Sequence, residues 1–249
     1  MVFIDVHCHL ERCKGNAEDI ISRARKENVE IIVNNGVGKE ANRKTLELSK
    51  KFNEIKAALG IYPLDALKLT DKEIDTEIEF IRKNRDRIVA IGEVGLDLKE
   101  SKEIEKQIKN FEKFIKLSMA LDIPIIVHSR KAEKECIDIL EKIGAKKVIM
   151  HCFSGDFNLV KRIKNDGWFF SIPAIIKFSE HFQKMAKEIP IEQIFCETDS
   201  PYLHPDKKMN NEPALVVESY KKIAEIKGIG LKECESKIEN NYKNLFNKA

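Results

Sequence analysis

Four of the six histidines in this chain, His7, His9, His128 and His151, stand at or near the ends of short apolar runs, as do the carboxylates Glu93 and Asp199. Imidazole nitrogens and carboxylate oxygens without a thiolate suit a catalytic site for Zn, Mn, Fe, Mg or Ni. A structural zinc finger would rely on cysteine. Alternate residues of a strand face one side, so Asp5, His7 and His9 share one face of the first run and Cys8 takes the other. Two divalent ions held about 3.5–4 Å apart form a clamp and activate water near neutral pH. Such a pair needs one carboxylate that reaches both ions, and Glu93 is the candidate.

Each residue also has a plainer reading. An isolated His-x-His recurs by chance, and His128 and His151 could each be a hydrogen-bonded core histidine. Glu93, within Gly92-Glu-Val-Gly95, could answer an arginine, and Asp199 could cap a helix. The metal reading rests on the conjunction: six ligand-type residues from five segments, four of them histidines at strand ends, where ionisable groups are rarely buried without partners.

That conjunction requires the runs to be strands of one sheet. Strand candidates cover 2–6, 31–34, 56–59, 88–93, 125–128, 147–151, 168–172 and 194–199. Helix-period stretches lie between them at 17–27, 40–52, 71–84, 103–121, 131–143, 157–165 and 178–188. Strands alternating with helices build a parallel sheet from βαβ units. Eight in this rhythm fit an α/β fold, a single (β/α)8 barrel of the TIM type spanning residues 1–249 as one domain. Catalytic groups of such barrels stand at the C-terminal ends of the strands. Here Glu93 closes the fourth strand, His128 the fifth, His151 the sixth and Asp199 the eighth. A Pro- and Asn-rich loop over 201–213 follows, and two extra C-terminal helices, 214–227 and 231–246, pack against the barrel wall.

Composition narrows the function classes. The chain has 44 Lys and Arg against 41 Asp and Glu, a net charge of +3, with both signs alternating as on solvated helix faces. There is no polybasic tract, so global charge gives no argument for nucleic-acid binding, and a local patch would have to supply it. The six cysteines include no C-x-x-C pair. Cys8, Cys152 and Cys196 read as small buried hydrophobes, and a disulfide framework is not expected. The opening MVFIDVHCH lacks a signal-peptide pattern, and no apolar run approaches the roughly 18 residues of a membrane span. A cytoplasmic protein without membrane association or an obligate protein partner is the expectation.

The ordered motifs Phe3-Ile-Asp-Val-His-Cys-His-Leu10, Gly92-Glu-Val-Gly-Leu-Asp97, Pro124-Ile-Ile-Val-His-Ser-Arg130, His151-Cys-Phe-Ser-Gly155, Glu197-Thr-Asp-Ser-Pro-Tyr-Leu203 and Asn241-Tyr-Lys-Asn-Leu-Phe246 span nearly the whole chain. Together they resemble the TatD family of metal-dependent hydrolases, described as TatD-related deoxyribonucleases, within the amidohydrolase superfamily. The resemblance implies that His7, His9, Glu93 and Asp199 hold one ion while Glu93, His128 and His151 hold the other. In two places the chain departs from the family pattern. Tyr62, in Gly60-Ile-Tyr-Pro63, replaces a customary histidine, and a customarily Arg-rich loop reads Lys207-Lys-Met-Asn-Asn-Glu-Pro213. Both changes fall on the substrate side.

Arg130 shares the parity of His128 and could bind an anionic group or make a salt bridge. Asp5, Asp97 and Glu197 are candidate supports for the ligands. His204 reads as a loop residue, Trp168 as core within a strand, and His181 as a solvent-facing helical residue. The favoured activity is metal-assisted phosphodiester hydrolysis of DNA, with Asp199 as the general base and Glu93 bridging. Arg130, Tyr62, Lys207 and Lys208 are the substrate-side candidates. The same machinery could instead cleave an ester or amide, as an amidohydrolase on a small molecule or a deacylase on aminoacyl-tRNA. A non-catalytic binding protein on the same scaffold would carry a damaged ligand set, whereas all six positions are intact here.

Overall fold

Runs such as Ile125-Ile-Val and Val148-Ile-Met are apolar on both faces because both faces are covered, the situation of a parallel sheet wrapped in helices. In the computed structural model, which describes residues 2–207 and 210–246, the strands are β1 (Phe3–Cys8), β2 (Val29–Val37), β3 (Ile55–Gly60), β4 (Ile88–Asp97), β5 (Ile125–Arg130), β6 (Val148–His151), β7 (Phe169–Pro173) and β8 (Ile194–Glu197). They form one parallel eight-stranded sheet in chain order. The sheet closes where β1 meets β8: His9 N donates to Ser200 O at 2.8 Å and Asp199 N donates to His7 O at 2.9 Å. The fold is the expected (β/α)8 barrel.

The surrounding helices are α1 (Ala17–Lys26), α2 (Lys39–Lys51), α3 (Pro63–Leu67), α4 (Asp71–Lys83), α5 (Ile104–Leu121), α6 (Glu133–Ile143), α7 (Phe157–Asn165), α8 (Glu180–Glu188), α9 (Val217–Lys227) and α10 (Leu231–Phe246). Side-chain caps fix several starts: Asn16 for α1, a Thr70–Glu73 capping box for α4, Asp156 for α7 and Ser179 for α8. The alternating charges pair between neighbouring helices. Lys109 of α5 lies 2.6 Å from Asp71 of α4 and Lys113 lies 2.6 Å from Asp75, and Arg162 of α7 reaches Asp138 and Glu141 of α6. The C-terminal helices brace the sheet. Buried Asn241 donates to Ile191 O and Ile194 O, and the Tyr220 hydroxyl bonds both backbone groups of Ile4. No described helix is long and apolar enough to cross a membrane.

Several local expectations need correction. Glu93 lies inside β4, which continues to Asp97, and β5 likewise continues past His128 to Arg130. His9 and Asp199 fall just beyond their strands. Helix α6 starts two residues later than expected, after Lys131 adopts φ 57°. The helix α3, started by Pro63, escaped notice because five residues carry little periodicity. Trp168 precedes β7; it is buried, and its indole N–H donates to Ala145 O at 3.2 Å. His181 is half-buried: its ring lies 5.5 Å from that of Phe157, and its Nε2 is 3.1 Å from Phe153 O.

One glycine sets the spacing at the heart of the sheet. Gly95 pairs with His128, has φ 146°, and a Cβ there would lie 1.9 Å from His128 O. The register also shifts between Ile91 and Val94, the stretch that carries Glu93, as a β-bulge does when it re-aims a side chain. Gly95→Ala is therefore expected to push β5 from β4 and to cost about 1–3 kcal/mol of stability. Urea denaturation measures this, and an unchanged midpoint would contradict the packing described.

Candidate metal centre

The six singled-out residues meet at the C-terminal end of the strands. A cavity of about 610 Å³ there is lined by His9, Glu93, His128, His151 and Asp199, with Tyr62, Arg130 and Tyr202 among the rim residues. His7, fully buried, lies against this cluster. A larger cavity of about 690 Å³ lies at the opposite end, lined by residues such as Lys56, Arg87 and Phe246. It contains no histidine among its described lining residues, so size does not decide where the chemistry lies.

Glu93 is 3% exposed, and its two oxygens face different partners. Oε1 is 2.6 Å from His128 Nδ1 and 4.0 Å from His151 Nε2. Oε2 is 3.5 Å from His7 Nε2 and 3.3 Å from His9 Nε2. Asp199 Oδ1 closes the second group, 3.7 Å from His7 Nε2 and 3.6 Å from His9 Nε2. Asp199 has φ 53°, a conformation that Asp accepts more readily than most residues. The donor atoms of His7, His9 and Asp199 lie within 4.8 Å of one another, as do those of His7, Glu93 and His151. His7 thus stands between the two groups, its ring stacked 3.6 Å from that of His151.

The surroundings fix which nitrogen faces inward. His9 Nδ1 lies 2.8 Å from Asn35 O, an acceptor only, so Nδ1 carries the proton and Nε2 offers a lone pair. His151 Nδ1 lies 2.8 Å from Glu197 Oε2, which leaves its Nε2 turned toward Glu93. Backbone carbonyls and carboxylates hold metal-ligating histidines in the same way. His7 Nε2 and His9 Nε2 approach to 3.2 Å beside two carboxylate oxygens. A neutral imidazole has one proton to offer, and His9 has already given its own to Asn35. This donor set fits a divalent cation.

The carboxylates are held ionised, and together they draw positive charge onto His9 and His151, whose pKa values rise despite burial. Burial would raise the Glu93 carboxyl, but His128, His7 and His9 outweigh it and hold the group well below the ordinary range. Asp199 is also lowered: burial opposes, and His9, His151 and His7 prevail. Burial lowers His7 to about 3, with His151 adding to the effect. For His151 burial pulls down, but Glu197 and other carboxylates carry it up to about 9.

The supporting carboxylates take distinct roles. Asp97 accepts from the Tyr62 hydroxyl at 2.7 Å, with His128 Nε2 at 3.4 Å and Arg130 Nη1 at 3.9 Å. Glu197 accepts from Ser171 as well as from His151. Asp5 touches no histidine ring. It accepts from His7 N and from Thr198 N and Oγ1, so it joins β1 to β8, and burial raises its carboxyl to about 8. Among the expected substrate residues, Tyr62 and Arg130 line the cavity. Lys207 does not line it: its Nζ lies 4.5 Å from the centre of the Phe178 ring. Lys208 lies outside the described residues.

Four contributors were not anticipated: Asn35, Arg12, Tyr202 and Asn211. Asn35 works through its backbone, for which no sequence signal exists. Asn211, 1% exposed, works through a side chain that donates to the carbonyls of Thr198, Tyr202 and Leu203. Its place before Glu-Pro was the available signal.

The barrel with histidines and carboxylates at its C-terminal mouth defines a metal-dependent hydrolase, and comparison with known proteins specifies the family. Residues 4–247 match the model of the TatD related DNase family, and the chain belongs to that family. An uncharacterized metal-dependent hydrolase of Methanocaldococcus jannaschii is 38% identical over 247 residues, covering 98% of this chain and 96% of that protein. The human deoxyribonuclease TATDN3 is 34% identical over 261 residues, covering 98% and 94%. The crystal structure of YJJV, a TatD homologue from Escherichia coli, is 24% identical and shares the fold with a TM-score of 0.91, covering 99% of this chain and 98% of that one.

Asn211 holds the turn that presents Asp199, so Asn211→Ala should leave buried carbonyls unpaired at a cost of about 1–3 kcal/mol. Faster hydrogen exchange confined to residues around 198–203 is the expected signature, and unchanged protection there would refute the bracing role.

Proposed function

We propose that this protein is a two-metal phosphodiesterase acting on DNA. In this reading His7, His9 and Asp199 would hold one ion, His128 and His151 would hold the other, and Glu93 would serve both. The observation that carries it is the division of Glu93, whose Oε1 faces His128 and His151 while its Oε2 faces His7 and His9. When bound, such ions supply Lewis-acid polarisation of the phosphoryl oxygen and activation of water. The family and the human deoxyribonuclease support a nucleic-acid substrate.

The chain's own residues bind, orient and move protons. Asp199, whose pKa the histidines lower against burial, would accept a proton from the attacking water. Tyr62 keeps its proton, because burial and the bond to Asp97 push its pKa further above the ordinary value. It therefore braces Asp97 and, through Asp97, His128. Arg130 is half-exposed at the mouth, 3.9 Å from Asp97 and 3.7 Å from Glu100, which leaves its guanidinium able to turn toward a phosphate.

Removing metal with a chelator should abolish cleavage of DNA, and Zn, Mn, Mg or Ni should be tried for restoring it. Because Glu93 bridges, Glu93→Ala should lower bound metal from about two ions towards none, by elemental analysis. Two ions retained in that variant would sink the bridging role. Separately, Arg130→Gln should raise KM for DNA about tenfold while changing kcat much less, as loss of a binding contact does. Cleavage of carboxylic esters with no action on DNA would replace this reading with that of an acyl hydrolase.

A further inference from the structure

Among the described residues, the large hydrophobic side chains with substantial exposure are Met119, Phe178 and Tyr202, and Tyr202, at 49%, is the one that lines the cavity of the candidate metal centre. Its ring centre is 6.4 Å from that of His9. Its hydroxyl accepts a hydrogen bond from Arg12 Nη1 at 3.3 Å, so the ring is held upright at the rim. Its carbonyl is held by Asn211. Arg12 also forms part of the wall of an adjoining hollow of about 620 Å³, whose lining mixes Lys39, Lys44 and Lys68 with Glu11, Glu40 and Asp65. Lys68 pairs with Asp65 and Lys44 with Glu47 in exposed contacts that a phosphate can replace at little cost.

We infer that Tyr202 is a stacking platform for the nucleobase next to the scissile phosphate, and that Arg12 contacts the following phosphate as the strand passes toward the adjoining hollow. This rests on the phosphodiesterase reading above and adds residues to it. An aromatic face half open to water, beside a buried floor of histidines and carboxylates that would hold cations, is suited to a flat, apolar group attached to an anion. Leu203, Val37 and Phe182 supply apolar wall on the same cavity. Arg12 is suited to the rim because its planar fork can keep one N–H on the Tyr202 hydroxyl while offering others to a phosphate. Stacking of a base on an aromatic side chain needs no particular base, so the platform positions without selecting sequence.

The test compares two single-stranded oligonucleotides of identical backbone, one complete and one with a single abasic site beside the bond that is cut. In the parent enzyme KM for the abasic strand should exceed that for the complete strand by about tenfold. That ratio should fall towards one in Tyr202→Ala and in Tyr202→Leu, which keeps bulk for folding, and should persist in Tyr202→Phe, which keeps the ring. If the parent cleaves both strands with equal KM, or the ratio survives in Tyr202→Ala or Tyr202→Leu, the platform is wrong while the nuclease reading stands. If the parent cleaves neither strand under metal-loaded conditions, both fail together.

Discussion

A carboxylate that is 3% exposed has given up most of its hydration, and only partners that suit its charge offset that loss. Glu93 finds such partners on both sides, His128 at one oxygen and His7 and His9 at the other. Those histidines come from β5, from β1 and from the residue just beyond β1, so the position of one side chain depends on the register of the sheet around it. The neighbouring backbone is cleared to permit this. Gly95 lets β5 approach at His128, and at Gly60 a Cβ would lie 2.6 Å from Glu93 O. Packing of this density transmits small displacements, so changes in the β3–β4–β5 region reach Glu93 even where they touch no charged group.

The seam between β1 and β8 carries the second half of the site, since His7 and His9 come from one side of it and Asp199 from the other. It is held by a few backbone hydrogen bonds and by Asp5, whose carboxylate bridges to Thr198. The C-terminal helices complete this seam. Tyr220 of α9 satisfies both backbone groups of Ile4, and Asn241 of α10 satisfies the carbonyls leading into β8. A barrel whose first and last strands meet must secure both chain ends, and here buried side-chain hydrogen bonds do so.

Much of this was legible in the sequence. The alternation of apolar runs and charged helical stretches gave the barrel, because strands covered on both faces must be apolar throughout. The ligand-type residues stood out because polar groups at the ends of such runs need a reason to be there. Less legible was where each strand stops. Glu93 and His128 lie inside β4 and β5, since parallel pairing continues past them once Gly95 removes the obstacle. Parity makes Asp5 a candidate support for the ligands, and its oxygens turn to the His7 backbone and to Thr198, a choice dictated by a segment 193 residues away in sequence. Tyr202 and Arg12 were overlooked because exposure at a rim is a property of the closed barrel and leaves no periodic trace.

The floor and the rim of the cavity are held to different degrees. On the floor, His9 and His151 each have the outer ring nitrogen fixed by a carbonyl or carboxylate within 2.8 Å. A substitution there breaks several dependent contacts at once. On the rim, Arg130 has only distant partners, and Arg12 and Tyr202 meet through one exposed hydrogen bond. Exposed polar contacts of this kind are individually weak. Rim residues such as Arg12 can therefore change without disturbing the floor, and Tyr62 is the exception. Its hydroxyl is committed to Asp97 and so to His128. A change at Tyr62 would therefore reach the floor through Asp97, which a change at Arg12 would not.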